Sequence, residues 1–109
     1  MKTGNHTKFF KVGTNWSFLF RVKDLDLTAA TASIIIKRIG STATIFDSAT
    51  NGTFSKTLSG TDTVILWDIP YTLTGDAAVG KTYHYDMEVT ASGNRQVYVE
   101  GDIFVERNR

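Results

Sequence analysis

The strongest constraint on this chain lies in its last third, where two alternating runs flank the turn residues Ser92-Gly93-Asn94. Side chains on a strand change face at every residue, so these runs read as one long β-hairpin spanning roughly residues 80–105. Placing Ala91 opposite Arg95 across a three-residue loop sets Val89 against Val97, Met87 against Val99, Tyr85 against Gly101 and Tyr83 against Ile103. All seven side chains other than Gly101 then share one apolar face. The other face pairs Thr90 with Gln96, Glu88 with Tyr98, Asp86 with Glu100 and His84 with Asp102. A two-residue loop would mix the faces, so the pattern predicts an odd-length loop with Gly93 or Asn94 left-handed.

The polar face sets like charges side by side. Asp86 and Glu100 are expected as direct cross-strand neighbours, with Glu88 and Asp102 close by, an arrangement that destabilises a sheet unless water or a partner screens it. The readings are a solvated face, a basic docking partner, or a cation held by the carboxylates. The third lacks the Asp/Asn/Gly-rich loop of a calcium site.

The remaining text is also strand-like. From Lys8 to Lys23, Trp16, Phe18, Phe20 and Val22 point one way and Ser17, Leu19 and Arg21 the other. Gly13-Thr14-Asn15 breaks this run in two. Further strands are expected at 32–39, 43–47, 53–58 and 63–69. Ile35, opposite in phase to Ile34 and Ile36, puts apolar residues on both sides and predicts a central strand. Pro70 ends the run that carries Ile65, Trp67 and Ile69. A single helical turn is expected within 71–81, around Asp76 to Val79. Strands at intervals of about 8–12 residues with turns between them indicate a sandwich or barrel. Residues 1–7 read as a loose polar arm and residues 106–109 as a tail, around one domain.

Composition excludes several classes. The chain contains no cysteine, so disulfides and thiolate metal sites do not enter. No stretch is apolar over the ~18 residues a membrane-spanning helix requires. The first residues lack the apolar core of a secretory signal, which predicts synthesis in a cytosol. The net charge of +1 argues against a dedicated nucleic-acid binder. That total hides a division: residues 1–60 carry eight Lys/Arg against three Asp, and residues 61–109 carry four against eight Asp/Glu. A polar subunit whose basic side meets a neighbour's acidic side is one consequence. Cancellation inside the monomer is the other.

Chemistry-bearing motifs are sparse. His84 beside Asp102 could form a catalytic pair, but a surface cross-strand pair is the simpler reading. His6 falls in the polar arm. No nucleophile elbow, histidine-rich metal spacing or phosphate-binding glycine loop appears. Trp16 and Trp67 lie in phase with core residues rather than forming a sugar platform. The Lys8-Phe9-Phe10-Lys11 run has the residue types of a single-strand nucleic-acid platform, without a basic field around it. No enzyme, cofactor or metal is predicted, and a small-molecule ligand is not expected.

Four phrases together resemble a known family. They are the amphipathic strand Asn15-Trp16-Ser17-Phe18-Leu19-Phe20-Arg21-Val22-Lys23; the turn beginning Asp26-Leu27-Thr28-Ala29-Ala30, similar to "D-L-T-G-A"; the strand carrying Gly80, Tyr83, Tyr85, Asp86, Met87 and Glu88, similar to "G-x-x-Y-x-Y-D-L-E"; and the close from Val99 to Val105, similar to "L-x-G-x-I-x-V". They resemble the immunoglobulin-like domain at the N-terminus of phage baseplate upper proteins and its stand-alone relatives in tailed-phage particles. Met87 replaces a leucine and alanine stands where glycine is usual. The resemblance implies an all-β, immunoglobulin-like antiparallel β-sandwich of about seven to nine strands with at most one short helical turn. It further implies a virion structural protein, assembled in the host bacterial cytoplasm. Its expected partners are other virion proteins and copies of itself, with neither nucleic acid nor membrane. The chain ends at Arg109 without a coiled-coil or receptor-binding extension, which favours a docking or decorating subunit. Baseplate or tail fits the family; a capsid decoration or head-fibre base fits the size. A glycan- or peptide-binding module is the competing class. Candidate partner contacts are Lys8, Lys11, Asp86, Glu88, Glu100 and Asp102.

Overall fold

The computed structural model describes residues 4–5, 7–91 and 94–107. Among these residues, nine strands and one helical turn follow in order: β1 (Gly4–Asn5), β2 (Lys8–Lys11), β3 (Trp16–Val22), β4 (Thr31–Arg38), β5 (Thr44–Asp47), β6 (Thr53–Ser59), β7 (Asp62–Ile69), α1 (Tyr71–Thr74), β8 (Gly80–Ala91) and β9 (Asn94–Glu106). They form two sheets. The larger, sheet A, runs β1-β9-β8-β4-β5, with β2 also pairing with β9; the smaller, sheet B, runs β3-β7-β6.

That order defines the fold. Lettering β3 to β9 as B, C, C′, D, E, F and G gives B-E-D in one sheet and G-F-C-C′ in the other, the arrangement of an immunoglobulin-like sandwich. The first strand is split, and both pieces run parallel to β9. Two features of the fold survive without its disulfide. Phe18 on β3 and Tyr85 on β8 meet edge to face between the sheets, with ring centroids 5.2 Å apart. Two residues before Tyr85, the Tyr83 hydroxyl accepts a hydrogen bond from the Ala78 N–H at 2.9 Å, the upstream backbone tie of a tyrosine corner. Burial alone pushes the Tyr85 phenol up to about 12.

The core is built from period-two residues of five strands. Trp16, Phe18 and Phe20 face Ile34, Ile36, Tyr83, Tyr85, Met87, Ile103 and Val105 across the sandwich, with Ile65, Trp67 and Ile69 completing sheet B. Both indoles are satisfied: Trp16 Nε1 donates to the Lys11 carbonyl at 3.0 Å and Trp67 Nε1 to the Asn51 carbonyl at 2.7 Å. Burial of both tryptophans agrees with the core reading.

Several expectations are corrected. The lower half of the hairpin has the predicted register, from Tyr83↔Ile103 through Met87↔Val99. A shift after Met87 then pairs Glu88 with Val97, Val89 with Gln96, Thr90 with Arg95 and Ala91 with Asn94. Burial of Tyr83, Tyr85 and Met87 sets the register below, and a β-bulge after Met87 absorbs the one-residue mismatch with the pairs from Val97 to Asn94. Asn94 is therefore a strand residue, and Gly93 lies outside the described residues. The helical turn forms at Tyr71–Thr74, directly after Pro70, rather than around Asp76 to Val79. Proline presets the dihedral that opens a turn, and the buried Thr74 hydroxyl anchors it by donating to the Thr14 carbonyl at 2.7 Å. Within the expected loose arm, Gly4 and Asn5 form β1 against Val99 and Glu100. One expectation stands: β4, with Ile35 opposite in phase to Ile34 and Ile36, is an internal strand of sheet A, between β8 and β5.

Candidate functional site

The outer face of sheet A gathers most of the residues marked in the sequence. Inward burial of Tyr83, Tyr85, Met87 and Val89 forces His84, Asp86 and Glu88 outward on β8. On β9 the inward Ile103 and Val105 likewise put Asp102, Phe104 and Glu106 outside. Register then aligns them in rows: Lys37, His84 and Asp102 in one, and Asp47, Ile35, Asp86 and Glu100 in the next.

The histidine ties two rows together. His84 Nδ1 lies 3.2 Å from Asp102 Oδ1, and His84 Nε2 lies 3.7 Å from Glu100 Oε1. Asp86 occupies the middle of the face. Its carboxyl is held above the usual carboxylate range, first by burial among neighbouring side chains and then by the charges of Glu88 and Glu100. Lys37 and His84 oppose that shift without cancelling it. Beside this cluster, Lys37, Arg38, Ile39, Gly40 and Ser41 line an open groove of about 390 Å³ with His84 and Asp102.

At its β2 edge the same face changes character. Phe9 and Phe104 point outward with ring centroids 6.0 Å apart, 65% and 40% exposed. Lys11 and Glu106 are register partners beyond them. The face is thus an acidic centre flanked by Lys37 on one side and by an exposed aromatic pair with Lys11 on the other.

Of the six candidate contacts, Asp86, Glu88, Glu100, Asp102 and Lys11 come together on this face. Lys8 does not. It occupies the inward phase of β2, half-buried, with Nζ 5.0 Å from the centre of the Phe20 ring. Phe10 likewise turns into the core, stacked on Trp16 at 5.1 Å, so Phe9 and Phe10 cannot present one nucleic-acid platform. Residues missed in the sequence are Phe104, Lys37 and Asp47. Alternation along β9 marks the first; the others join only through strand order. Among the described residues, no three His, Asp or Glu side chains converge as a metal site. His6 lies outside the described residues.

The charge division of the sequence largely interleaves in the fold. Basic β2 and β4 flank acidic β8 and β9, and Arg21 donates to Asp62 at 2.7 Å across the two halves. The Asp24 N–H also donates to Asp62 at 2.8 Å. That bond, with Arg21, holds the Asp62 carboxyl below its ordinary range.

No protein-family model matches this chain, and no curated protein matches it in sequence. Among solved structures, it is similar to an immunoglobulin domain of the ZIG-8–RIG-5 IG1–IG1 heterodimer at 12% identity, covering 94% of this chain and 83% of that one, with a TM-score of 0.46. It is also similar to the extracellular fragment of novel immune-type receptor 11 from Ictalurus punctatus, again at 12% identity, covering 95% and 86% of the two chains, with a TM-score of 0.43. The immunoglobulin-like assignment rests on the strand order of this chain itself.

Proposed function

We propose that this protein is a structural subunit of a tailed-phage virion, present in several copies and held in the baseplate or tail by protein–protein contacts. The observation that carries the docking role is the half-buried carboxylate of Asp86 between Glu88 and Glu100. Repelling, partly dehydrated acids weaken an isolated domain, and a basic partner surface relieves them. The four phrases shared with the phage family supply the particle context. They fall on β3 and its following turn, on β8 and on β9, the elements that build the core and this face.

The mechanism is geometric. A rigid sandwich presents the acidic centre for steering and register, with Phe9 and Phe104 as apolar anchors at its margin. Head attachment, as a capsid decoration or head-fibre base, uses the same face and the same physics. The proposed role is non-catalytic, with His84 serving as a cross-strand partner of the Asp102 and Glu100 carboxylates.

Isotope-dilution mass spectrometry of gradient-purified particles tests the assignment. A fixed ratio of this chain to the major virion proteins, retained through washing, is expected. Its absence from particles, together with saturable binding of the isolated protein on a glycan array, would overturn the reading in favour of a binding module.

A further inference from the structure

The edges of the two sheets are treated unequally. Unpaired strand edges invite pairing with another chain, and proteins block them with bulges, inward charges or very short strands. On β6, the half-buried Lys56 turns inward and its Nζ reaches the carbonyls of Leu27, Thr28 and Ala30. On β5 the ladder is broken by a register shift opposite Ile36 and Lys37. There the Asp47 N–H is taken by Asn51 Oδ1 at 2.9 Å, and the Asp47 carbonyl accepts from the Thr50 and Asn51 N–H groups. The β1/β2 edge is split into pieces of two and four residues.

β3 carries none of these devices. Its seven residues pair with β7 without a register shift, and its inward residues are Trp16, Phe18 and Phe20. Among the described residues its backbone pairs with β7 and with nothing else. A constant-type immunoglobulin sheet continues A-B-E-D, but here the first strand lies on β9, and among the described residues no strand stands beside β3 on that side. Leu19, at the middle of this edge, is 61% exposed.

The strand is also self-complementary. Trp16-Ser17-Phe18-Leu19-Phe20-Arg21-Val22 reads apolar, polar, Phe, Leu, Phe, polar, apolar in both directions about Leu19. We infer that two copies of this chain pair antiparallel through their β3 edges, on a two-fold axis at Leu19, and continue sheet B into a six-stranded sheet. Phe18 then lies opposite the second copy's Phe20, so the core phase runs unbroken through the joint. On the outer face, Leu66 is already the register partner of Leu19, and the two copies form a Leu66–Leu19–Leu19–Leu66 stripe. Arg21 falls opposite the second copy's Ser17, whose hydroxyl donates to Asp68. The guanidinium thus gains a carboxylate beyond its own Asp62. This surface belongs to the other sheet from the acidic face and does not depend on the virion assignment.

The chain has no cysteine, so Leu19→Cys introduces a single thiol at the proposed axis. Ser55→Cys, on the outer face of the blocked β6 edge, is the control. Under mild oxidation the Leu19→Cys protein should form covalent dimers at least about tenfold faster than the control, because cross-strand partners on an axis approach within disulfide reach. In sedimentation velocity, wild type should show a dimer that dissociates on dilution. Leu19→Lys should weaken it by about tenfold or more while melting like wild type, since the site is exposed and two lysines would oppose each other. A wild-type monomer at every concentration, equal cross-linking of the two thiols, or a dimer indifferent to Leu19→Lys would each overturn the pairing.

Discussion

Gly13 and Gly52 hold nearly the same backbone angle, φ +71 and +75, in opposite surroundings. A Cβ on Gly13 would meet nothing within 4 Å, whereas on Gly52 it would fall 1.9 Å from the Asp68 carbonyl oxygen. Gly13→Ala is therefore expected to cost only the left-handed penalty, about 1 kcal/mol. Gly52→Ala must also displace β7 backbone and disturb the Asn51 carbonyl that receives the Trp67 indole. It should cost about 3 kcal/mol, read from denaturant midpoints of the two variants. Asp86 makes a prediction of opposite sign. Its carboxyl is raised in the folded state, so the stability linked to it is complete below the unfolded carboxylate range and declines as pH rises through the folded value. Asp86→Asn should consequently melt higher than wild type at neutral pH. That advantage should vanish below the ordinary carboxylate range, as thermal unfolding across pH would show. Both consequences are only half visible in the sequence. Asn51-Gly52 was legible as a turn, but the carbonyl that crowds Gly52 comes from a strand sixteen residues away. Asp86 opposite Glu100 followed from alternation, but its burial required Ile35 and β4 alongside.

At the scale of elements, alternation and turn residues located the strands, because each run of inward side chains is bounded by Gly, Asn, Asp or Pro. The hairpin shows where that reasoning stops. A single period carried through residues 83–103 reproduces five pairs, from Tyr83↔Ile103 to Met87↔Val99, but not the pairs on either side, where the register shifts between Lys81 and Tyr83 and again after Met87. Nothing local announces the bulge after Met87; it records a conflict between two ends of one element. The parallel attachment of β1 to β9 was equally illegible, since two residues carry no periodicity and their partners lie near the opposite terminus. Lys56 was legible as a strand residue but not as an edge guard. Replacing it with valine keeps the strand preference and removes the inward charge. Lys56→Val should therefore fold yet aggregate faster than wild type on concentration, followed by light scattering.

For the whole molecule, the sequence division into a basic and an acidic half leaves two readings, a polar subunit or cancellation inside the monomer, and strand order interleaves the two halves as the second requires. What remains is one broad outer face with an acidic centre, a rim of Lys11 and Lys37, and an exposed aromatic pair, beside a core that lies entirely between the sheets. Fold class was legible because period-two burial and turn spacing are local. The face was legible only in part, because Lys37 and Asp47 reach it through strand order. The docking role of that face is the central claim, and incorporation of a charge-reversed subunit tests it most directly. Asp86→Lys combined with Glu100→Lys alters outward positions and leaves the buried core untouched. Expressed beside wild type during phage growth, the folded variant should be excluded from purified particles while wild type is incorporated, as quantified by mass spectrometry. Equal incorporation of the two would contradict docking through this face.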